Sequence, residues 1–247
     1  MDSKLAILEV VVDDPSCVLR WVTDEISRLP EELRPTELSR WERPKRHQVH
    51  PLSDRKVVRE HLSACGGGFF LRGRKFKYEV NLGVSDASIT LWIDQGDTRL
   101  LSLHKELFMI LEPIGYTYGF SSSWSEYCHR NEYKFKFSDG GSSTSFVGRA
   151  HKRYVPGLYW VNYFSDEYRD AMSLSLENIA AQSQAILTRL QRGTILRIYD
   201  RPVDWISNIE TIDDVVFATP GFFSKRRIEL PPNLSRLSEF SLKRHWP

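Results

Sequence analysis

The stretch Lys75-Phe76-Lys77-Tyr78-Glu79-Val80-Asn81-Leu82 alternates charged or amide side chains with apolar ones, and Ile89, Leu91 and Ile93 resume the alternation a few residues later. Successive side chains of a pleated strand point to opposite faces. A period of two therefore describes antiparallel strands with one face in a core and the other in water. The same period returns where Tyr133, Phe135 and Phe137 are spaced by Lys134 and Lys136. The turn Ser138-Asp139-Gly140-Gly141-Ser142 follows and Thr144 to Ala150 leads back, which reads as a hairpin over 131–150. Leu158 to Phe164 is a further strand. It is expected to share one antiparallel sheet with that hairpin, because short turns join neighbouring segments. In that sheet Leu158 and Trp160 should face the core.

Around these strands the period changes to that of helices. Lys4 to Val12 opens the chain as a β-branched strand; Asp14 then suits an N-cap and Pro15 the first helical position, and Val18, Trp21, Val22, Ile26 and Leu29 share one helical face. Ser53 to Cys65 forms a second helix, stopped by Gly66 to Gly68. Thr98 caps a third, with a stripe of Leu100, Leu103, Leu107, Phe108 and Leu111 closed by Pro113 and Gly115. Leu176 to Leu190 reads as one helix ended by Gly193, Thr194 to Tyr199 as a strand and Ile212 to Ala218 as a helix. Pro30 to Pro51, with four prolines, is a surface connection, and the end around Pro231 and Pro232 is irregular. Runs of strands separated by helices, without strict βαβ alternation, give an α+β fold: antiparallel sheet packed with several helices. The 247 residues fit one domain. The irregular stretch Tyr116 to Ser125 marks where two subdomains would divide, near residue 120.

Lys+Arg and Asp+Glu nearly cancel, 34 against 32, so no overall field drives the chain onto nucleic acid or an anionic membrane. No apolar run approaches the roughly 20 residues that span a bilayer. The start, MDSKLAILEVVV, lacks the pattern of a signal peptide. Cys17, Cys65 and Cys128 are odd in number and widely spaced, which argues against a disulfide framework or a zinc site. A cytoplasmic protein without cofactor or metal is expected.

Several residue groups invite chemistry. Cys128-His129 pairs a nucleophile with a base, but adjacent residues do not face one way on a strand or a helix, and a surface dipeptide is the better reading. His47, His50 and His61 lack a carboxylate or Cys to complete a metal pattern, and they lie among arginines. His104 falls on the apolar side of its helix. The Asp139-Gly140-Gly141 run does not lead from a strand into a helix, so it is a turn and not a phosphate loop. Arg72, Arg74, Lys75 and Lys77 lie near Phe69, Phe70, Phe76 and Tyr78, as in a base-stacking surface, yet the alternation assigns the aromatics to a core and the lysines to a wet face.

Acidic residues gather near the start (Asp13, Asp14, Asp24, Glu25, Glu31, Glu32) and again late, where Asp200, Asp204, Glu210, Asp213 and Asp214 accompany Trp205, Ile206 and Ile209. Charge that steers encounter beside an aromatic anchor suits protein recognition. The alternative is a solvated loop with its Trp turned into the core. Asp200, Asp204, Trp205, Glu210, Asp213 and Asp214 are accordingly the candidate partner-binding residues. Reversing Asp213 and Asp214 is expected to slow association while leaving the fold intact.

Tyr154-Val155-Pro156-Gly157-Leu158-Tyr159-Trp160-Val161-Asn162-Tyr163-Phe164-Ser165 resembles a segment of immunity proteins from bacterial polymorphic-toxin and type VI secretion systems, in which a Pro-Gly turn leads into an aromatic strand that ends at a small polar helix start. The downstream order of helix, Gly193, strand and the loop at Pro202 is also similar. The resemblance implies a protein that binds a cognate toxin and blocks it without doing chemistry. One such family is often paired with restriction-endonuclease-type DNase toxins. The alternatives are an enzyme whose site is assembled from distant residues such as Glu126, His129, Asp139 and His151, and a nucleic-acid-binding module built on the basic segments.

Overall fold

Leu5–Val12, all but one of its residues aliphatic, forms the strand β1 on which the rest of the sheet is assembled. The computed structural model describes residues 5–64, 67–74, 76–94, 100–136, 141–146, 148–224, 226 and 239–241. After β1 come α1 (Pro15–Arg20), β2 (Glu37–Ser39), β3 (His50–Pro51), α2 (Arg55–Ala64), β4 (Gly68–Arg72), β5 (Lys77–Leu82), β6 (Ala87–Asp94), α3 (Leu100–Leu111) and β7 (Tyr116–Ser123). Then follow α4 (Trp124–Asn131), β8 (Glu132–Lys136), β9 (Ser142–Phe146), β10 (Val161–Ser165), α5 (Asp166–Ala171), α6 (Leu176–Ser183), β11 (Ile186–Arg189), β12 (Gly193–Arg197), α7 (Ile209–Ala218) and β13 (Glu239–Ser241). The fold is α+β, as the strand pattern predicts. Ten strands pair antiparallel in the order β11-β12-β10-β7-β1-β6-β5-β4-β2-β3.

The period of two sorts the side chains onto two faces. On one face Leu8, Val10, Phe69, Leu71, Tyr78, Val80, Ile89 and Leu91 are each at most 1% exposed. Trp21 meets Tyr78 edge-on at 5.9 Å, and Phe108 of α3 stacks on Tyr163 at 6.1 Å. On the other face, in the β4–β6 half, Lys77, Glu79, Asn81 and Ser88 meet water. In the β7–β10 half that second face is covered: Phe120 stacks on Tyr159 at 4.2 Å and on Tyr127 of α4 at 5.8 Å.

The stretch expected to be irregular is strand β7, buried between β1 and β10. Gly119 and Ser121 to Ser123 hide it from an apolar count, yet Gly119 and Ser121 each have a use there. A Cβ at Gly119 would stand 2.8 Å from the Phe108 ring and 3.1 Å from the Glu9 carbonyl, so only glycine lets α3 come this close. Ser121 Oγ donates to the Ile7 carbonyl at 2.8 Å.

Other expectations are corrected. The hairpin β8–β9 forms, but with β13 it makes a separate three-stranded sheet, whereas β10 pairs with β7 and β12. The connection 148–160 is no tight turn: it crosses toward the far end of the chain, where Val155 exchanges backbone bonds with Gly221 and Phe223. Phe146 of β9 leans instead on Trp124 and Tyr127 of α4. The helix expected over 176–190 stops at Ser183, where Gln184 turns left-handed at φ 55°. Ile186–Arg189 is β11, since pairing with β12 outweighs a short apolar run that suits either period. The proline-rich connection 30–51 contains β2 and β3 on the outer edge of the sheet, with Leu38 in the core. The first helix is α1 only as far as Arg20 and continues as a π-helical turn, Trp21–Glu25. Thr98, the expected cap of α3, lies outside the described residues.

Leu158, Tyr159 and Trp160 precede β10 rather than belong to it, but all three are fully buried, as expected of Leu158 and Trp160. The Trp160 indole N–H donates to the Tyr199 carbonyl at 3.1 Å. Trp160→Ala should therefore cost about 3–5 kcal/mol of stability, as large aromatic truncations do. An unchanged denaturant midpoint would show that the ring carries no such load.

Candidate functional site

Of the candidate partner-binding residues, Asp200 precedes the 3-10 turn Pro202–Asn208 and the others sit on that turn and on α7; a buried ionic cluster fastens both elements to the sheet. The cluster begins with α4. Ser123 accepts the Glu126 N–H at its N-terminus, and Glu126 and Arg130, one turn apart, both point inward. Arg130 Nη2 donates to Glu126 Oε1 at 3.2 Å and to the Tyr199 hydroxyl at 3.1 Å, while Nη1 donates to Asp213 Oδ1 of α7 at 2.9 Å. Asp213 Oδ2 lies 3.2 Å from His129 Nε2, and the second Glu126 oxygen accepts the Trp160 N–H at 3.2 Å. Burial pushes the Glu126 carboxyl up to about 7, against the opposing pull of Arg130 and the Trp160 N–H.

Trp205 is 2% exposed, with its ring 5.4 Å from that of His129. It is thus a core residue, not a free anchor; of the two sequence readings the inward-turned Trp is the one seen. The exposed apolar residues on the 3-10 turn are Val203 and Ile206, the latter 58% exposed. Four of the five acids are engaged by arginines: Asp200 with Arg197 at 3.3 Å, Asp204 with Arg201 at 2.7 Å, Asp214 with Arg226 at 2.6 Å, and Asp213 with Arg130. The Arg201 hydrogen bonds hold the Asp204 carboxyl below its ordinary range. Glu210 is exposed. Asp200, Val203, Ile206, Glu210 and Asp214 are therefore the exposed members, the last four spaced three or four residues apart as along one helical ridge, while Asp204 is tied down and Asp213 points inward. Reversing Asp213 to Lys would set a cation against Arg130, so the expectation that the fold tolerates this change is withdrawn.

The residues of the alternative enzyme reading do not gather in one cluster. Glu126 and His129 belong to the ionic cluster, His151 lines a separate cleft facing Asp86, and Asp139 lies outside the described residues. Cys128-His129 is not a surface dipeptide: it lies on α4, with His129 buried. The signal missed was Ser123-x-x-Glu126, the start of a capping box. His50 and His61 meet ring to ring at 5.0 Å, and burial, then His50 and Arg40, lowers the His61 pKa. Among the described residues no group of three or more His, Cys, Asp or Glu side chains is placed to hold a metal ion. The His104 side chain is outside the described set. Phe69 and Tyr78 are in the core, whereas Lys77 lies over the Phe70 and Trp92 rings and pairs with Glu42 at 2.7 Å.

No protein-family model matches the chain, and no curated protein matches it. Among solved structures, the T6SS protein PA0821 of Pseudomonas aeruginosa is similar in fold. The two are 13% identical; the match covers 85% of this chain and 76% of that one, with a TM-score of 0.51. Among the described residues no helix is long and apolar enough to cross a membrane.

The raised Glu126 pKa gives the cluster a pH signature. A group whose folded pKa lies above its ordinary value of 4.5 favours folding most fully below that value, and the contribution is lost as the pH climbs through about 7. Glu126→Gln is neutral at every pH, so between pH 5 and pH 8 the variant should gain stability relative to wild type. Chemical denaturation at both values tests this; parallel pH dependence in the two proteins would rule it out.

Proposed function

We propose that this chain is a type VI secretion-related immunity protein that acts in the cytoplasm by binding a cognate toxin, most simply a nuclease, and covering its active site. The observation that carries this reading is the ridge formed by Asp200, Val203, Ile206, Glu210 and Asp214, which sets exposed aliphatic area between carboxylates on a support pinned by Trp205 and Asp213. A preorganised surface of this kind binds without the cost of ordering itself. The resemblance of Tyr154–Ser165 to immunity proteins and the fold likeness to a T6SS protein of Pseudomonas aeruginosa support the same reading.

In this account Ile206 takes the anchoring role that the buried Trp205 does not, and Glu210, the exposed acid that is not among the four held by arginines, steers the approach of a basic nuclease surface. A protein retained from the host by the immobilised chain should lose its activity at one-to-one stoichiometry. Ile206→Ala should then speed dissociation by about tenfold, and Glu210→Lys should slow association and flatten its salt dependence. Full activity of the retained protein in the complex would refute the immunity reading. Wild-type kinetics in all the variants would instead remove the ridge from the interface.

A further inference from the structure

A cleft of about 500 Å³ opens on the second face of the sheet, where β1 and β5 end and β6 begins. Its floor is a row of directly opposed residues, Tyr118, Val11, Ser88 and Asn81, fixed by the strand register. Its walls are the β5–β6 turn with Asp86 and the segment Arg149-Ala150-His151-Lys152-Arg153. That segment is held at its middle: the Tyr168 hydroxyl donates to the His151 carbonyl at 2.7 Å, and Lys152 Nζ donates to the Ser85 carbonyl at 3.0 Å.

The basic side chains of the segment differ in what already occupies them. Arg149 is engaged by Glu9 and by the Tyr127 hydroxyl. Lys152 keeps Asp86 and Asp13 at 3.7 and 3.8 Å, beyond hydrogen-bonding distance. Arg153 pairs with no carboxylate among the described residues. His151 Nε2 is buried without a hydrogen-bond partner among the described residues, with Asp86 4.0 Å away. A buried polar atom left unpaired costs stability unless something else meets it.

We propose that this cleft binds a small molecule carrying a phosphate monoester, with Arg153, Lys152 and His151 as its anion-holding side chains. The chemistry favours phosphate over carboxylate. A guanidinium, an ammonium and an imidazole offer three kinds of donor, and a phosphate monoester has three terminal oxygens to meet them where a carboxylate has two. Burial lowers the His151 pKa, so the ring is neutral at neutral pH and can donate through Nε2–H. The volume lies within the range of small-molecule sites, roughly 300–1,000 Å³. This assignment does not depend on the immunity reading.

Calorimetric titration of the full chain with inorganic phosphate and with adenosine monophosphate tests it. Saturable binding of either probe is expected, weakened about tenfold or more by Arg153→Ala. Lys152→Met should weaken it too, and Arg59→Ala, an exposed change on α2, should leave it unaltered. No saturable binding, or equal loss in the Arg153 and Arg59 variants, would overturn the site. Binding of a glutamate-rich peptide but of neither phosphate would overturn the ligand class.

Discussion

The covered half of the sheet depends on one guanidinium. Arg130 is buried with its donors divided among Glu126 of its own helix, Asp213 of α7 and the hydroxyl of Tyr199, so helix α4, helix α7 and the segment that follows β12 are joined by a single side chain. Removing one member of such a set leaves a buried charge without its counterpart, and that costs more than the set contributes while intact. The arrangement defines position more than it adds stability. It ties α7, which carries Glu210, to α4 through Asp213.

Around that cluster the aromatic residues divide the remaining work. Tyr118, Phe120, Tyr127, Tyr159 and Phe164 form a continuous set of ring contacts between β7, β10 and α4. Rings of this size bury much apolar area, and their hydroxyls find partners, as when Tyr159 donates to Asn131 at 2.6 Å. The same hydroxyls are pushed to high pKa by burial, so none of them carries charge in the physiological range.

What the sequence made legible follows the strength of its periodicity. β5 and β6 alternate cleanly because one of their faces is wet, so both could be read directly, as could the Asp14 cap, the helix 55–64 and the Ser165 helix start. β7 has no wet face to contrast with, and its small residues serve close packing, so its pattern carries no period. β11 is four residues long, too short to separate a strand from a helical turn, and its partner strand decides. The pairing of β10 with β7 rather than with the β8–β9 hairpin is a tertiary choice that no local signal encodes. At the candidate site the acidic and apolar composition was visible. Which way Asp213 and Trp205 turn was not, because both meet α4, through Arg130 and His129, some eighty residues earlier in the chain; the i,i+3 pairs Arg197–Asp200 and Arg201–Asp204 were local and open to reading.

The self-pairing of the ridge acids has a consequence for selectivity. A cation that approaches Asp214 or Asp200 meets a carboxylate already satisfied by Arg226 or Arg197, so contact is an exchange of partners with little net electrostatic gain. Exchange rewards a guanidinium delivered in the right orientation over any diffuse positive surface, since only matched geometry recovers what the displaced arginine gave up. On the proposed reading, a ridge built this way would discriminate by fit among basic proteins that a bare acidic patch would attract alike.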